Sequence, residues 1–367
     1  MTAVVVAGAL ANKPGNGGEA WVRLGWLRGL ADLGVQVQLV ESADVAGDGP
    51  QARWVDEVAA WAGLAAPVLL APDGTGLRGD PGLVRGLADD GAPLLDLSGT
   101  LADASLVAAF RRRAYVDLDP GWTQLWDAAG LLGDVLDRYD VHLTVGDAVP
   151  TCGLPLQGRR WQPMRPVVLL DDWAAAPAGG PLTTVASWRS PSGTMPWDGR
   201  ELGGKARSWR PLADLPSRVP QACAAVVAAH PADAADLARL QDGGWEVRDP
   251  STVATPQAYR AFVQASAGEL SVAQEMYVAT ACGWTSDRTA AYLAAGRPVV
   301  VQDTGFSAAL RTSPALRAFG TAQEAAQACR ELAAGDPDEL ADQARALARE
   351  HFCSRAVLPR VLDLVGT

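Results

Sequence analysis

The sequence predicts an α/β protein built from two doubly wound, Rossmann-like domains facing each other across a cleft. Three observations carry that expectation. The chain of 367 residues is too long for one ordinary core and suits two domains of about 150–200 residues. Short apolar runs alternate with helix-like segments along its length. The alternation lapses once, over "WQPMRPVVLLDDWAAAPAGGPL" (161–182), which is rich in Pro, Gly and Ala and reads as a linker.

The first domain is placed at residues 1–165. It opens with a strand at 4–7, the glycine-rich "GALANKPGNGGEA" and a helix over 19–33 that Gly34 can end; "VQVQLVE" (35–41) is the second strand. Further strands are expected at "PVLLA" (67–71), "APLLDLSG" (92–99), "RAYVDLD" (113–119) and "YDVHLTVG" (139–146). The second domain is placed at 183–345, with strands at "TTVASW" (183–188), "AAVVAAH" (224–230) and "GWEVRDP" (244–250). "CGWTSDRTAAYLAAGRPVVV" (282–301) supplies its most legible unit. Thr285 or Ser286 can cap a helix there, Gly296 stops it, Pro298 prevents its resumption, and the strand 299–303 follows. The polar helix start then lies at the carboxyl edge of a parallel sheet, where open α/β folds bind ligands. A helical tail is expected over 336–364, its end (346–367) packing back on the first domain.

Composition narrows the function classes. With 49% hydrophobic and 20% charged residues the chain reads as globular, and its net charge of −11 disfavours nucleic acid and anionic membrane as partners. Five cysteines (152, 223, 282, 329 and 353) form an odd count without C-x-x-C spacing, so neither a zinc site nor a disulfide framework is expected. They read as reduced thiols of a cytoplasmic protein. "MTAVVVAGAL" lacks a basic leading region and reads as a strand rather than a signal peptide, and no run is long enough to span a membrane.

Candidate site residues fall at loop and helix starts. "PGNGG" (14–18) puts Asn16, Gly17 and Gly18 where bare amides and the helix dipole favour a negative or hydroxyl-rich ligand; its plainer reading is a flexible strand-to-helix turn. Arg189 and Lys205 bracket the polar loop after the 183–188 strand and together can grip a diphosphate, although either alone is ordinarily a surface charge. Thr285, Ser286 and the amides around Asp287 would form the opposite wall, and Arg288 can reach the same phosphates or pair with an acid. In "YVDLDPGW", Asp119 ends a strand and can face the cleft as a catalytic base; "DLD" (117–119) also spells a metal-binding D-x-D, with solvent-facing Asp residues as the plainer reading. Trp122, Trp188 and Trp284 stand beside loops where an indole can stack on a sugar or aglycone, against ordinary packing.

The pairing of "KPGNGGEAWVRLGWLRGLADLGVQVQLVE" with "TACGWTSDRTAAYLAAGRPVVVQDTGF" resembles the two signature regions of GT-B glycosyltransferases. The first is similar to the Gly-Gly-x-Glu helix start of their N-terminal domain, the second to their donor-binding motif. The Arg189/Lys205 segment likewise resembles the Arg and Lys pair by which retaining members hold the donor diphosphate. The sequence departs from these patterns at four positions. Ala281 stands where inverting members carry a diphosphate-binding His and Thr289 where they carry a ribose-binding acid, while Gly283 and Ala291 occupy both glutamate positions of the retaining motif. Glu269 is the nearest acid that could take over a ribose or sugar hydroxyl.

The resemblance implies a hexosyltransferase that takes a nucleoside diphosphate sugar as co-substrate, needs no other cofactor, and glycosylates a small-molecule acceptor. Arg189, Lys205 and the helix-start amides make metal independence the expectation, and the Ala-, Gly- and Trp-rich composition suggests by analogy a bacterial natural product as acceptor. Two alternatives share the donor site: a nucleotide-sugar epimerase of GT-B shape, and a catalytically silent binding or activator protein.

Overall fold

The computed structural model describes residues 3–174, 179–190 and 193–366. It divides into two compact units. One comprises 1–145, 155–169 and 352–367, and the other 146–154 and 170–351.

The first unit is built on a sheet of β1 (Ala3–Gly8), β2 (Gln36–Ser42), β3 (Val68–Leu70), β4 (Gly76–Arg78), β5 (Leu94–Leu97), β6 (Arg113–Asp117), β7 (Val141–Thr144) and β8 (Trp161–Pro163), in the order β4-β3-β2-β1-β5-β6-β7-β8. In this sheet, among the described residues, only β3 and β4 pair antiparallel. Because β1 pairs with both β2 and β5, the winding reverses beside it. Its "VVV" core is fully buried, the near-continuous apolar run that a strand covered on both faces requires.

Asn16 starts the helix Gly17–Asp32 by accepting the Glu19 amide at 3.1 Å. Further along the helix, a Cβ on Gly29 would stand 2.7 Å from the Ser354 Cβ and 2.8 Å from a Leu358 methyl. Its bare backbone is what lets the helix Ser354–Val365 seat so closely.

That seating accounts for two differences from the expected organisation. The tail forms two helices, Pro337–His351 and Ser354–Val365, rather than one. They are split where the Phe352 carbonyl accepts the Val168 amide (2.8 Å) and the Ser354 amide donates to the Val168 carbonyl (3.0 Å). A backbone extended to make those bonds cannot also make a helical turn, so residues 346–351 stay with the second unit while 352–367 join the first. The supposed linker meanwhile contains β8, the edge strand beside β7.

The second unit holds β9 (Leu182–Ser187), a hairpin of β10 (Met195–Trp197) and β11 (Arg200–Leu202), β12 (Cys223–Ala228), β13 (Glu246–Arg248), β14 (Gly268–Ser271), β15 (Val299–Gln302) and β16 (Leu316–Phe319). Six of these form an all-parallel sheet in the order β13-β12-β9-β14-β15-β16. Its winding reverses at β9, which lies between β12 and β14. Residues 146–154, expected in the first domain, pack here instead. The Ala148 amide donates to the Cys282 carbonyl at 3.0 Å, and Gly146 bridges Trp284.

Candidate functional site

The helix Asp287–Ala294 begins beyond the carboxyl end of β14, one strand from the point where the second sheet reverses. Ser286 is its N-cap, accepting the Arg288 amide on its hydroxyl at 3.2 Å, and Gly296 leaves the helix at φ +72°. Thr285, just before the cap, is only 1% exposed, and its hydroxyl has no hydrogen-bond partner among the described residues. A buried hydroxyl left without a partner forgoes a free energy on the order of 1–3 kcal/mol. Asp287 lies half-buried in the first turn.

Three expected ligand contacts are corrected by their internal partners. Arg288 points into the fold. Its Nε donates to Glu269 Oε1 (2.5 Å), Nη1 to the Val185 carbonyl (2.6 Å) and Nη2 to Ser271 Oγ (3.0 Å). Glu269 is fully buried, and its second oxygen accepts the Thr289 hydroxyl at 2.7 Å, so it has no face for a sugar or ribose. Arg189 is exposed and already engaged in a bidentate surface pair with Asp233, at 2.8 and 2.9 Å.

Lys205 starts the short helix Lys205–Trp209, in the segment that returns from the β10–β11 hairpin; the Ala206 amide donates to the Trp188 carbonyl at 3.2 Å. The backbone from which Lys205 projects therefore runs beside the carboxyl end of β9. The indoles are packing groups. Trp188 is buried and donates to Asp236 at 3.0 Å, Trp122 is buried against Trp126, and Trp284 stacks on Tyr277 with ring centroids 4.4 Å apart.

In the first unit three carboxylates, which sequence reasoning missed or misplaced, organise the loops at the carboxyl edge. Glu41, buried at the end of β2, accepts the amides of Leu10 and Ala11, both at 2.8 Å; burial pushes its carboxyl up. Asp96 accepts the amides of Thr100 (2.7 Å) and Leu101 (3.1 Å) and the Tyr139 hydroxyl (2.6 Å). Asp117, expected to face solvent, is fully buried. It accepts Thr123 (2.7 Å), Gln124 (2.9 Å) and Thr144 (2.8 Å), and desolvation pushes its carboxyl up to about 6. The signal for all three was an acid at or near the end of an apolar strand, where a buried carboxylate can accept the donors of the loop that follows.

Asp119, two residues on, is exposed and gives its amide to Asp117 at 3.0 Å. In the glycine-rich loop Asn16 is exposed, Gly17 buried and Gly18 half-buried. Burial pushes the Glu19 carboxyl up, but Arg23 and Lys13, both ion-paired to it, outweigh that and hold it down at about 2.

No protein-family model matches the chain, and no curated protein matches it. Solved structures do match over the full length. HepE from Anabaena, in complex with UDP-glucose, has 13% sequence identity and a TM-score of 0.60, with 99% of each chain covered. The chain has the GT-B fold. A glycosyltransferase from Rickettsia africae (10% identity, TM-score 0.57, 99% of this chain and 97% of that one) and OtsA (10%, 0.58, 99% of each) share that GT-B architecture. The resemblance read in the two signature regions is therefore borne out as fold. Among the described residues no helix is long and apolar enough to cross a membrane.

Proposed function

We propose that this chain transfers a sugar from a nucleoside diphosphate sugar, bound by the second unit, to a small-molecule acceptor, with a bacterial natural product as the acceptor class. The observation that carries the reading is Thr285: a buried hydroxyl with no partner, immediately ahead of a capped helix at the ligand-binding edge of a parallel sheet. The complex of the similar HepE with UDP-glucose supports it.

In this reading Thr285 and the amides about Asp287 hold donor phosphate, and Lys205 supplies the cation. Asn16, Gly17 and Gly18 form the acceptor-side loop. Asp119, which is exposed, takes the acceptor proton. Where the leaving phosphate itself takes that proton on the same face of the sugar, Asp119 only orients the acceptor.

The internal pairing of Glu269, Arg288 and Arg189 favours one second reading, nucleotide binding without turnover. A thermal-shift screen with UDP-, TDP- and GDP-sugars, followed by a nucleotide-release assay with acceptor mixtures, separates the two. A ligand at one hundred times its dissociation constant stabilises by about 2.7 kcal/mol. Stabilisation by one nucleotide sugar together with release of its nucleotide supports transfer. Stabilisation without release supports the silent binder, and no stabilisation by any of the three removes the donor site.

A further inference from the structure

We infer that Glu275 is a positioning residue for Lys205. The inference rests on the donor reading above and deepens it. Glu275 stands beyond the end of β14, at the start of the helix Glu275–Thr280. Its Oε2 accepts the Gly203 amide at 3.0 Å and Arg207 Nη1 at 3.0 Å, and its Oε1 lies 3.4 Å from Arg200 Nη2. One carboxylate thus grips the chain two residues before Lys205, two residues after it, and on the last strand of the hairpin. Arg207 also donates to the Glu201 carbonyl, which closes the turn around the lysine.

The segment can take this path only because Gly204 is bare: a Cβ there would stand 2.5 Å from the Ser190 amide. The same return puts the Ala206 amide on the Trp188 carbonyl, beside the end of β9. Lys205 therefore emerges from a segment seated on the chain after β9 and clamped by an acid from the chain after β14.

The arrangement is more than surface pairing. Arg200 and Arg207 are about half exposed, and as isolated pairs each would contribute little. Glu275 itself is mostly buried, and its bond to the Gly203 amide is a backbone restraint that a mobile surface pair lacks. An unrestrained segment would have to be ordered when its lysine meets a phosphate, and fixing both flanks removes that backbone cost.

The test is isothermal titration of UDP-, TDP- and GDP-glucose into the full chain and into Glu275→Ala, Glu275→Gln, Lys205→Ala and the Glu275→Ala/Lys205→Ala double variant, with melting followed in parallel. Lys205→Ala should weaken binding of the preferred donor on the order of tenfold to a hundredfold. Glu275→Ala should weaken it about tenfold. Glu275→Gln, which keeps an acceptor for Gly203 but loses the charge, should fall between Glu275→Ala and the parent, and it covers the case in which the alanine variant does not fold. The double variant should bind no worse than Lys205→Ala alone, because a clamp has nothing to position once the lysine is gone. Fully additive losses, or an unaltered affinity in Glu275→Gln and Glu275→Ala when Lys205→Ala binds weakly, overturn the positioning role while leaving the donor site standing. A Lys205→Ala variant that binds as the parent does also overturns the inference while leaving the donor site standing, whereas a parent that binds none of the three removes the donor reading, and the inference falls with it.

Discussion

Thr285 and Ser286 are neighbours with different fates, and the difference sets what each substitution should do. Ser286 already caps a helix through the Arg288 amide, whereas Thr285 is buried without a partner. Ser286→Ala should lower stability by about 1 kcal/mol through loss of the cap. Thr285→Val, which replaces an unsatisfied hydroxyl by a methyl of similar shape, should leave the melting temperature unchanged or higher and weaken nucleotide-sugar binding. Calorimetric melting and titration of both variants check this; a Thr285→Val protein that binds as the parent does assigns the hydroxyl no ligand. Asp117 gives a pH signature. Its folded pKa is raised to about 6 from 3.8, so the protonated carboxyl is favoured in the folded state and its contribution is lost as pH rises through that interval. At 1.36 kcal/mol per unit the window corresponds to about 3 kcal/mol. Urea unfolding of parent and Asp117→Asn at steps from pH 4 to 7 should show the parent losing more stability than the variant across it. Glu19 works in the opposite sense: held down at about 2, it contributes above 4.5 and is lost as pH falls from there.

At the scale of elements, long-range backbone contacts override local pattern. Residues 336–364 carry a helical pattern throughout, yet the chain breaks at Phe352–Cys353 because Val168 pairs with the extended backbone there. The helix that follows depends on close approach at Gly29. Gly29→Ala would place a methyl 2.7 Å from the Ser354 Cβ, so its higher helix propensity should be outweighed by overpacking of about 1–3 kcal/mol. Thermal unfolding checks the sign: a variant more stable than the parent would show that the Ser354–Val365 helix can shift aside. β14 was passed over in the sequence because "GELS" interrupts its apolar run with an acid. The strand exists because Arg288 and Thr289 satisfy that acid inside the fold. The Glu275 clamp was illegible for a related reason, since its partners lie 68–75 residues away.

For the whole molecule, the proposed reading turns on what would neutralise a diphosphate. The second unit offers Lys205 and the helix start at 285–287, while the D-x-D of the sequence is not a pair of available ligands: Asp117 is committed to three side-chain donors in the first unit. Sugar transfer should therefore persist in EDTA, read as nucleotide release under saturating donor. A complete loss restored by Mg²⁺ or Mn²⁺ would show that the diphosphate is held through a metal instead.

The sequence by itself determined the α/β class, most of the parallel strands, the cap and stop of the 287–294 helix, and the two regions that resemble GT-B signatures. Each of these is local, because side-chain periodicity, capping and glycine stops act within a few residues. Only the tertiary structure decided which partner each charge takes. Arg288 reaches Val185 across 103 residues of chain and Arg189 reaches Asp233 across 44, and no spacing rule carries that information. A buried polar group must find a partner wherever the fold brings one. Thr285 is a buried hydroxyl for which the fold, among the described residues, supplies none.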